Sequence, residues 1–139
     1  MSLKRREARE LAFTLIYEMT FYTECSALTV LEKEKELRPF AEDRYLRQVV
    51  TGVGEKKEEL DALIEKYAEG WTVKRISRIS LAIMRLCLYE MLFVEGIPFN
   101  VSINEAVELC KKFNDEKSVA FVNGVLNAAA EHEGLKKKT

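Results

Sequence analysis

The sequence predicts an all-α fold, and three observations carry that expectation. Glycine and proline are scarce, at six and two of 139 residues, so few positions force the chain to turn. Apolar side chains return at i, i+3, i+4 and i+7 in one segment after another, the spacing that lays a stripe along one face of a helix. No segment alternates convincingly between apolar and polar residues as a half-buried strand would, and no internal repeat is visible. The length suits a single domain, residues 1–139, able to bury a core without metals or disulfides. Hydrophobic residues at 47% against charged residues at 32% place it among globular rather than disordered chains.

The first helix is predicted from about Lys4 to Tyr22, with Ala8, Leu11, Ala12, Leu15, Met19 and Tyr22 on one stripe and Ser2 as its N-cap. A shorter second helix is expected between Ser26 and Leu37, with Leu28 and Leu31 inward and Pro39 beyond its end; Glu32 to Glu36 form its solvated charged face. A long third helix is expected from Glu42 to Tyr67, stopped by Gly70. Gly52 and Gly54 weaken it by about 1 kcal/mol each relative to alanine, so either a neighbour packs closely there or the helix bends. After Trp71, residues Thr72 to Ile79 read as one or two turns leading to Ser80. From Leu81 to Val94 the chain is apolar on nearly all sides, which marks a central helix wrapped by the others, ended by Gly96 and Pro98. Ser102-Ile-Asn-Glu105 has the form of a capping box, opening a helix with Val107, Cys110 and Phe113 inward and a break at Asn114-Asp115. The last helix runs from Lys117 or Ser118 to Glu131, burying Phe121, Val122, Val125, Leu126 and Ala129, with Gly124 suggesting a close neighbour. Residues 135–139, with Lys136, Lys137 and Lys138, form a short basic tail expected to fray.

The formal net charge is −1, so nucleic acid could be held only by a concentrated basic patch. Cys25, Cys87 and Cys110 are widely spaced and odd in number, and no signal peptide is recognisable; free thiols in a cytoplasmic protein are the expectation, Cys87 and Cys110 buried and Cys25 in a loop. The longest apolar run, Leu86 to Val94, is too short to span a bilayer. The one histidine, His132, cannot supply a multi-histidine metal site and is read as a surface residue. There is no phosphate-binding glycine loop, nucleophile elbow or HExxH, and carboxylates such as Glu55, Glu58, Glu59 and Asp61 fall on expected solvent faces. No catalytic residue, metal or cofactor is therefore expected.

The sharpest anomaly is Lys4, Arg5, Arg6 and Arg9 in the first turns of helix one. The helix dipole favours anions there, and each cation is unfavourable by about 0.3–1 kcal/mol at low salt. A bound polyanion would explain them, since arginine forks grip phosphate; on charge alone an ordinary solvated basic turn explains them equally well. Arg6 and Arg9 lie off the apolar stripe, so alanine at both should leave folding intact. Lys117-Ser118, at the start of the last helix, could offer amides to phosphate, and Phe121 could stack on an unpaired base, although its periodicity favours the core. Tyr17, Tyr89 and Trp71 are counted as core or core-edge residues.

Arg5-Arg6-Glu7-Ala8-Arg9-Glu10, leading to Leu15-Ile16-Tyr17, then Ala82 to Glu90, then Ile97-Pro98 through Val101 to Lys111 and Ser118 to Leu126, resemble in order and spacing the NusB family of transcription antitermination factors. The stretch from Thr23 to Ala41 is less similar. The resemblance implies six or seven helices in two small bundles forming one domain. It also implies binding of single-stranded boxA RNA with the ribosomal protein NusE, in a complex that helps RNA polymerase pass terminators in ribosomal RNA operons. By position it implies RNA contacts at Lys4, Arg5, Arg6, Arg9, Lys117, Ser118 and Phe121, and a NusE surface at Tyr17, Ser80 and Met84. Glu7 stands where a basic residue is common, Ser80 where an acid usually contacts NusE, and Lys117 where some relatives are acidic. A similar module opens certain RNA cytosine methyltransferases, whose catalytic domain would follow; a stand-alone factor is the expectation here. A helical adaptor that binds only protein is the alternative from another class, and self-association of the free protein stays open.

Overall fold

The computed structural model describes residues 3–21, 29–33 and 43–137. Among them the regular structure is entirely helical: α1 (Arg5–Met19), α2 (Arg44–Glu55), α3 (Lys57–Tyr67), α4 (Arg78–Phe93), α5 (Phe99–Phe113) and α6 (Glu116–His132), with 3-10 turns at Val73–Arg75 and Leu135–Lys137. Residues 29–33 are also helical and bury Val30 and Leu31. Ser2, Tyr22, Cys25, Leu28 and Lys138 lie outside the described residues.

Helix α4 is the axis of the molecule. Every residue from Ser80 to Met91 is buried, as an all-round apolar helix must be when other elements wrap it. Helices α1 and α2 pack on it and on each other; α5 and α6 pair and cover another part of it, and α3 bridges α4 and α6. Arg85, charged and inward-facing, is met by Asp61 of α3 through Nε–Oδ1 at 2.7 Å and Nη2–Oδ2 at 2.9 Å. Asp61 thus leaves the solvent face expected of it, because a buried guanidinium needs a partner.

Several expected boundaries move. Lys4 is the N-cap of α1 instead of Ser2, and Glu7 accepts the Lys4 amide at 3.3 Å. The single helix expected over 42–67 is two, broken at Lys56. Both readings of the glycines apply: a Cβ on Gly52 would overlap the Tyr89 ring, so the backbone packs closely there, and the bend follows one turn later. Helix α4 starts at Arg78, capped by Ser77, whose Oγ accepts the Ser80 amide at 3.2 Å.

The expected capping box does not form. Pro98 leads into a helix that starts at Phe99, so Ser102 and Glu105 sit inside α5 and turn to partners on other helices. Of the residues expected inward only Cys110 is fully buried: Val107 is half-buried and Phe113 exposed, while Ile103, Ala106 and Leu109 face inward with Cys110. Gly124 has open space beside it, so no close neighbour explains it.

Candidate nucleic-acid interface

The first turns of α1 are positioned from below by Asp43. One of its oxygens accepts the Leu46 amide at 3.0 Å and caps α2; the other accepts the Leu3 amide at 3.3 Å, tying the chain ahead of α1 to the start of α2. Tyr45 follows, with the Arg5 guanidinium 4.3 Å from its ring centroid. Lys4, Arg5 and Arg6 are exposed.

Arg9 is not. It is 5% exposed, and its fork is met by two carboxylates. Nε and Nη2 donate to Glu90 at 2.7 and 3.1 Å, and Nη1 donates to Glu105 at 3.1 Å. Glu90, buried on α4, also accepts from the Tyr45 hydroxyl and from Ser102 Oγ, the latter at 2.9 Å. Each Glu90 oxygen therefore takes two donors, so the buried carboxylate is fully hydrogen-bonded. Burial pulls the Arg9 pKa down, but Glu90, Tyr45 and Glu105 together raise it above its ordinary value. Burial, followed by the Glu90 charge, pushes the Tyr45 phenol up.

Arg6 is one step further out. Its Nε and Nη2 grip Glu105 at 3.0 and 2.7 Å, with 77% of its side chain still exposed. The Arg6 hydrogen bond, opposed by some burial and helped by Arg9, holds the Glu105 carboxyl below the usual carboxylate range. Arg6, Arg9, Glu105 and Leu109 line a groove of about 340 Å³ between α1 and α5, bounded by a 2.6 Å Lys112–Glu10 ion pair. Periodicity could not find Glu90 and Glu105 as arginine partners, since they lie 81 and 96 residues away from Arg9.

Lys117 and Phe121 are one helical turn apart on α6, Lys117 exposed and Phe121 half-buried, its ring edge-on to Trp71 at 5.9 Å. Trp71, expected in the core or at its edge, is instead 45% exposed. The amide site imagined at Ser118 is already filled: Asp115 caps α6 by accepting the Ser118 amide at 2.8 Å, and the bonds from Ser118 hold its carboxyl low. Among the described residues no hydrogen bond, ion pair or ring contact joins Lys117 or Phe121 to the arginines.

The expected protein-partner residues separate as well. Ser80 and Met84 are 3% and 0% exposed; Ser80 accepts the Asn114 side-chain amide at 3.0 Å, and Met84 is core, so neither presents a side chain to a partner. Tyr17, half-buried, does lie in a row of rings whose two ends are exposed and whose Phe13 is core. Phe113, Phe13, Tyr17 and Phe21 follow one another with centroid separations of 5.1, 6.1 and 5.1 Å, and the Arg78 guanidinium sits 4.4 Å from the Phe21 ring. Phe21 and Phe113 are 48% and 38% exposed. The signal was present in the sequence: Phe13, Tyr17 and Phe21 recur every four residues, the first two on α1 and the third just past its end.

Cys87 and Cys110 are buried free thiols, His132 is exposed and stacks on Tyr67, and no three His, Cys, Asp or Glu gather as a metal site among the described residues. Among those residues, too, no helix is long and apolar enough to cross a membrane. Residues 6–131 match the NusB family model. The chain belongs to the NusB family. Among its relatives, the transcription antitermination protein NusB of Clostridium perfringens is 41% identical over 90% of this chain and 95% of its own. That of Acetivibrio thermocellus is 42% identical over 88% and 85%. T. maritima NusB superposes with a TM-score of 0.83 at 31% identity, covering 94% of this chain and 93% of its own. A crystal structure of antitermination factors NusB and NusE in complex with dsRNA gives 0.77 at 29% identity, covering 92% and 96%. The two sequence relatives are both named transcription antitermination proteins.

Proposed function

We propose that this chain is a transcription antitermination factor that binds boxA-type single-stranded RNA together with NusE and helps the elongating RNA polymerase read through terminators in ribosomal RNA operons. The observation that carries the RNA reading is the exposed Arg6 fork beside Lys4 and Arg5, at the head of a helix whose dipole gives no structural reason for cations. Arg6 is the direct phosphate ligand; Arg9 is a positioning residue that holds Glu105, and through it Arg6. Lys117 and Phe121 supply a second contact, a cation and a ring, whereas Ser118 is committed to Asp115. NusE docks on the exposed rings of Phe113 and Phe21 and the half-buried ring of Tyr17, with buried Phe13 beneath them, in keeping with the weight of aromatic residues in protein interfaces. The similar solved complex contains NusE and double-stranded RNA; the single-stranded preference here rests on the rings, which can stack only on unpaired bases.

The test is titration of labelled boxA-like RNA, a scrambled strand and a duplex, with and without NusE, at several salt concentrations. The expected result is salt-dependent binding of the single strand, tightened by NusE. Absence of RNA binding at low salt in the presence of NusE would overturn the reading in favour of an adaptor that binds protein alone.

A further inference from the structure

The connection between α3 and α4 has an unusual character. From Gly70 to Tyr89 the chain carries Lys74, Arg75, Arg78 and Arg85 and no acidic residue. Arg85 turns inward to Asp61, which leaves Lys74, Arg75 and Arg78 exposed and, among the described residues, without an ion pair. In the same stretch stands Trp71, the only tryptophan, 45% exposed. One edge of its ring system meets Phe121 at 5.9 Å, and the Arg75 guanidinium lies 5.5 Å from its centroid. The turn that holds it is braced three times: the Trp71 amide donates to Ala68 O at 2.9 Å, the Val73 amide to Glu65 at 2.8 Å, and the Arg75 amide to Thr72 O at 2.9 Å.

Resting on the RNA reading above, we infer that Trp71 is a second base-stacking platform, continuous with Phe121, with Arg75 and Lys74 holding the phosphates on either side of the stacked base. A large exposed ring fixed by a braced turn loses little freedom on stacking. Rings accept any base face, and the local surplus of positive charge favours a polyanion over an acidic-poor protein surface. Lys117, Phe121, Trp71 and Arg75 then form one track along the N-terminal half of α6 and the turn before α4, separate from the arginines of α1.

Because Trp71 is the sole tryptophan, its emission reports this contact directly. Anisotropy of labelled single-stranded RNA measures binding independently, in the presence of NusE throughout. The expected results are quenching of Trp71 emission that saturates with the anisotropy rise, and a loss of affinity on the order of 10- to 100-fold in Trp71→Ala. Trp71→Phe should stay within a few-fold of the wild type, and thermal melts should show both variants folded. RNA that binds without quenching, with full affinity in Trp71→Ala, overturns this inference and leaves the α1 arginines standing. Quenching by NusE alone, unchanged when RNA is added, assigns the surface to protein and also overturns it. Failure of RNA to bind at all removes the wider reading and this one together.

Discussion

Two arginines three residues apart on one helix divide the work of binding and folding. Arg9→Ala leaves Glu90 buried with its charge uncompensated, a loss on the order of 3–5 kcal/mol that urea unfolding would register. Arg6→Ala removes an exposed pair, so melting should hardly change, while the slope of log K against log salt for single-stranded RNA should fall by about 0.7. Equal effects of the two variants on stability would refute the division. The Glu105 carboxyl, held low first by Arg6, adds a pH signature. Its folded value lies below its unfolded one, so its contribution is complete above the ordinary carboxylate range and is lost as pH falls through the depressed value. An acid titration of stability should therefore flatten at its low end in Glu105→Gln. The basic cluster itself was legible from charge alone; its division was not. Arg9 reads as solvent-facing by period, and only the arrival of Glu90 from a distant helix makes its inward position tolerable.

Glycines separate the same way at the level of helices. Gly52 lies under the Tyr89 ring, where α2 crosses α4, and Gly124 lies on the open face of α6. Alanine at Gly124 should stabilise the protein by about 0.4–1 kcal/mol, since it restricts the unfolded chain and meets nothing in the folded one. Alanine at Gly52 must displace a buried ring, and overpacking of that kind costs about 1–3 kcal/mol, more than the helical preference returns. Thermal melts of the two variants should move in opposite directions. The sequence showed both glycines inside helical patterns, leaving a close neighbour or a bend open at Gly52 and suggesting a close neighbour at Gly124. Only a tertiary contact tells them apart. The capping box misled for a related reason: Ser102 and Glu105 have the right chemistry and spacing, but Pro98 admits an earlier start and buried Glu90 offers Ser102 a partner across the core. What local pattern did yield was the order of the helical segments, the central place of α4 and the break at Asn114, because those depend on periodicity and on residues adjacent in the chain; the division of the 42–67 segment at Lys56 it missed.

The whole molecule hangs on α4, and its cooperativity should follow. The α1–α2 pair and the α5–α6 pair both bury apolar stripes against this one helix, and α3 ties it to α6 as well. Loss of α4 contacts on one side should loosen the other, so the protein should unfold in a single transition despite the two groups of helices flanking the axis. Leu88, fully buried at the centre of α4, is the place to test this. Leu88→Ala should cost about 2–5 kcal/mol through lost transfer energy and the cavity left behind. Trp71 emission reports the α6 side of the molecule, whereas far-UV circular dichroism reports every helix. In urea, both probes should shift to the same lower midpoint in Leu88→Ala, with an unchanged slope against denaturant. A Trp71 transition that stays in place while the helical signal falls earlier would show that the α5–α6 side stands without the axis. Coincident transitions would mean that the arginine surface on α1 and the Trp71–Phe121 surface on α6 are carried by one cooperative unit, and that no RNA-facing surface can be tested in a fragment lacking α4.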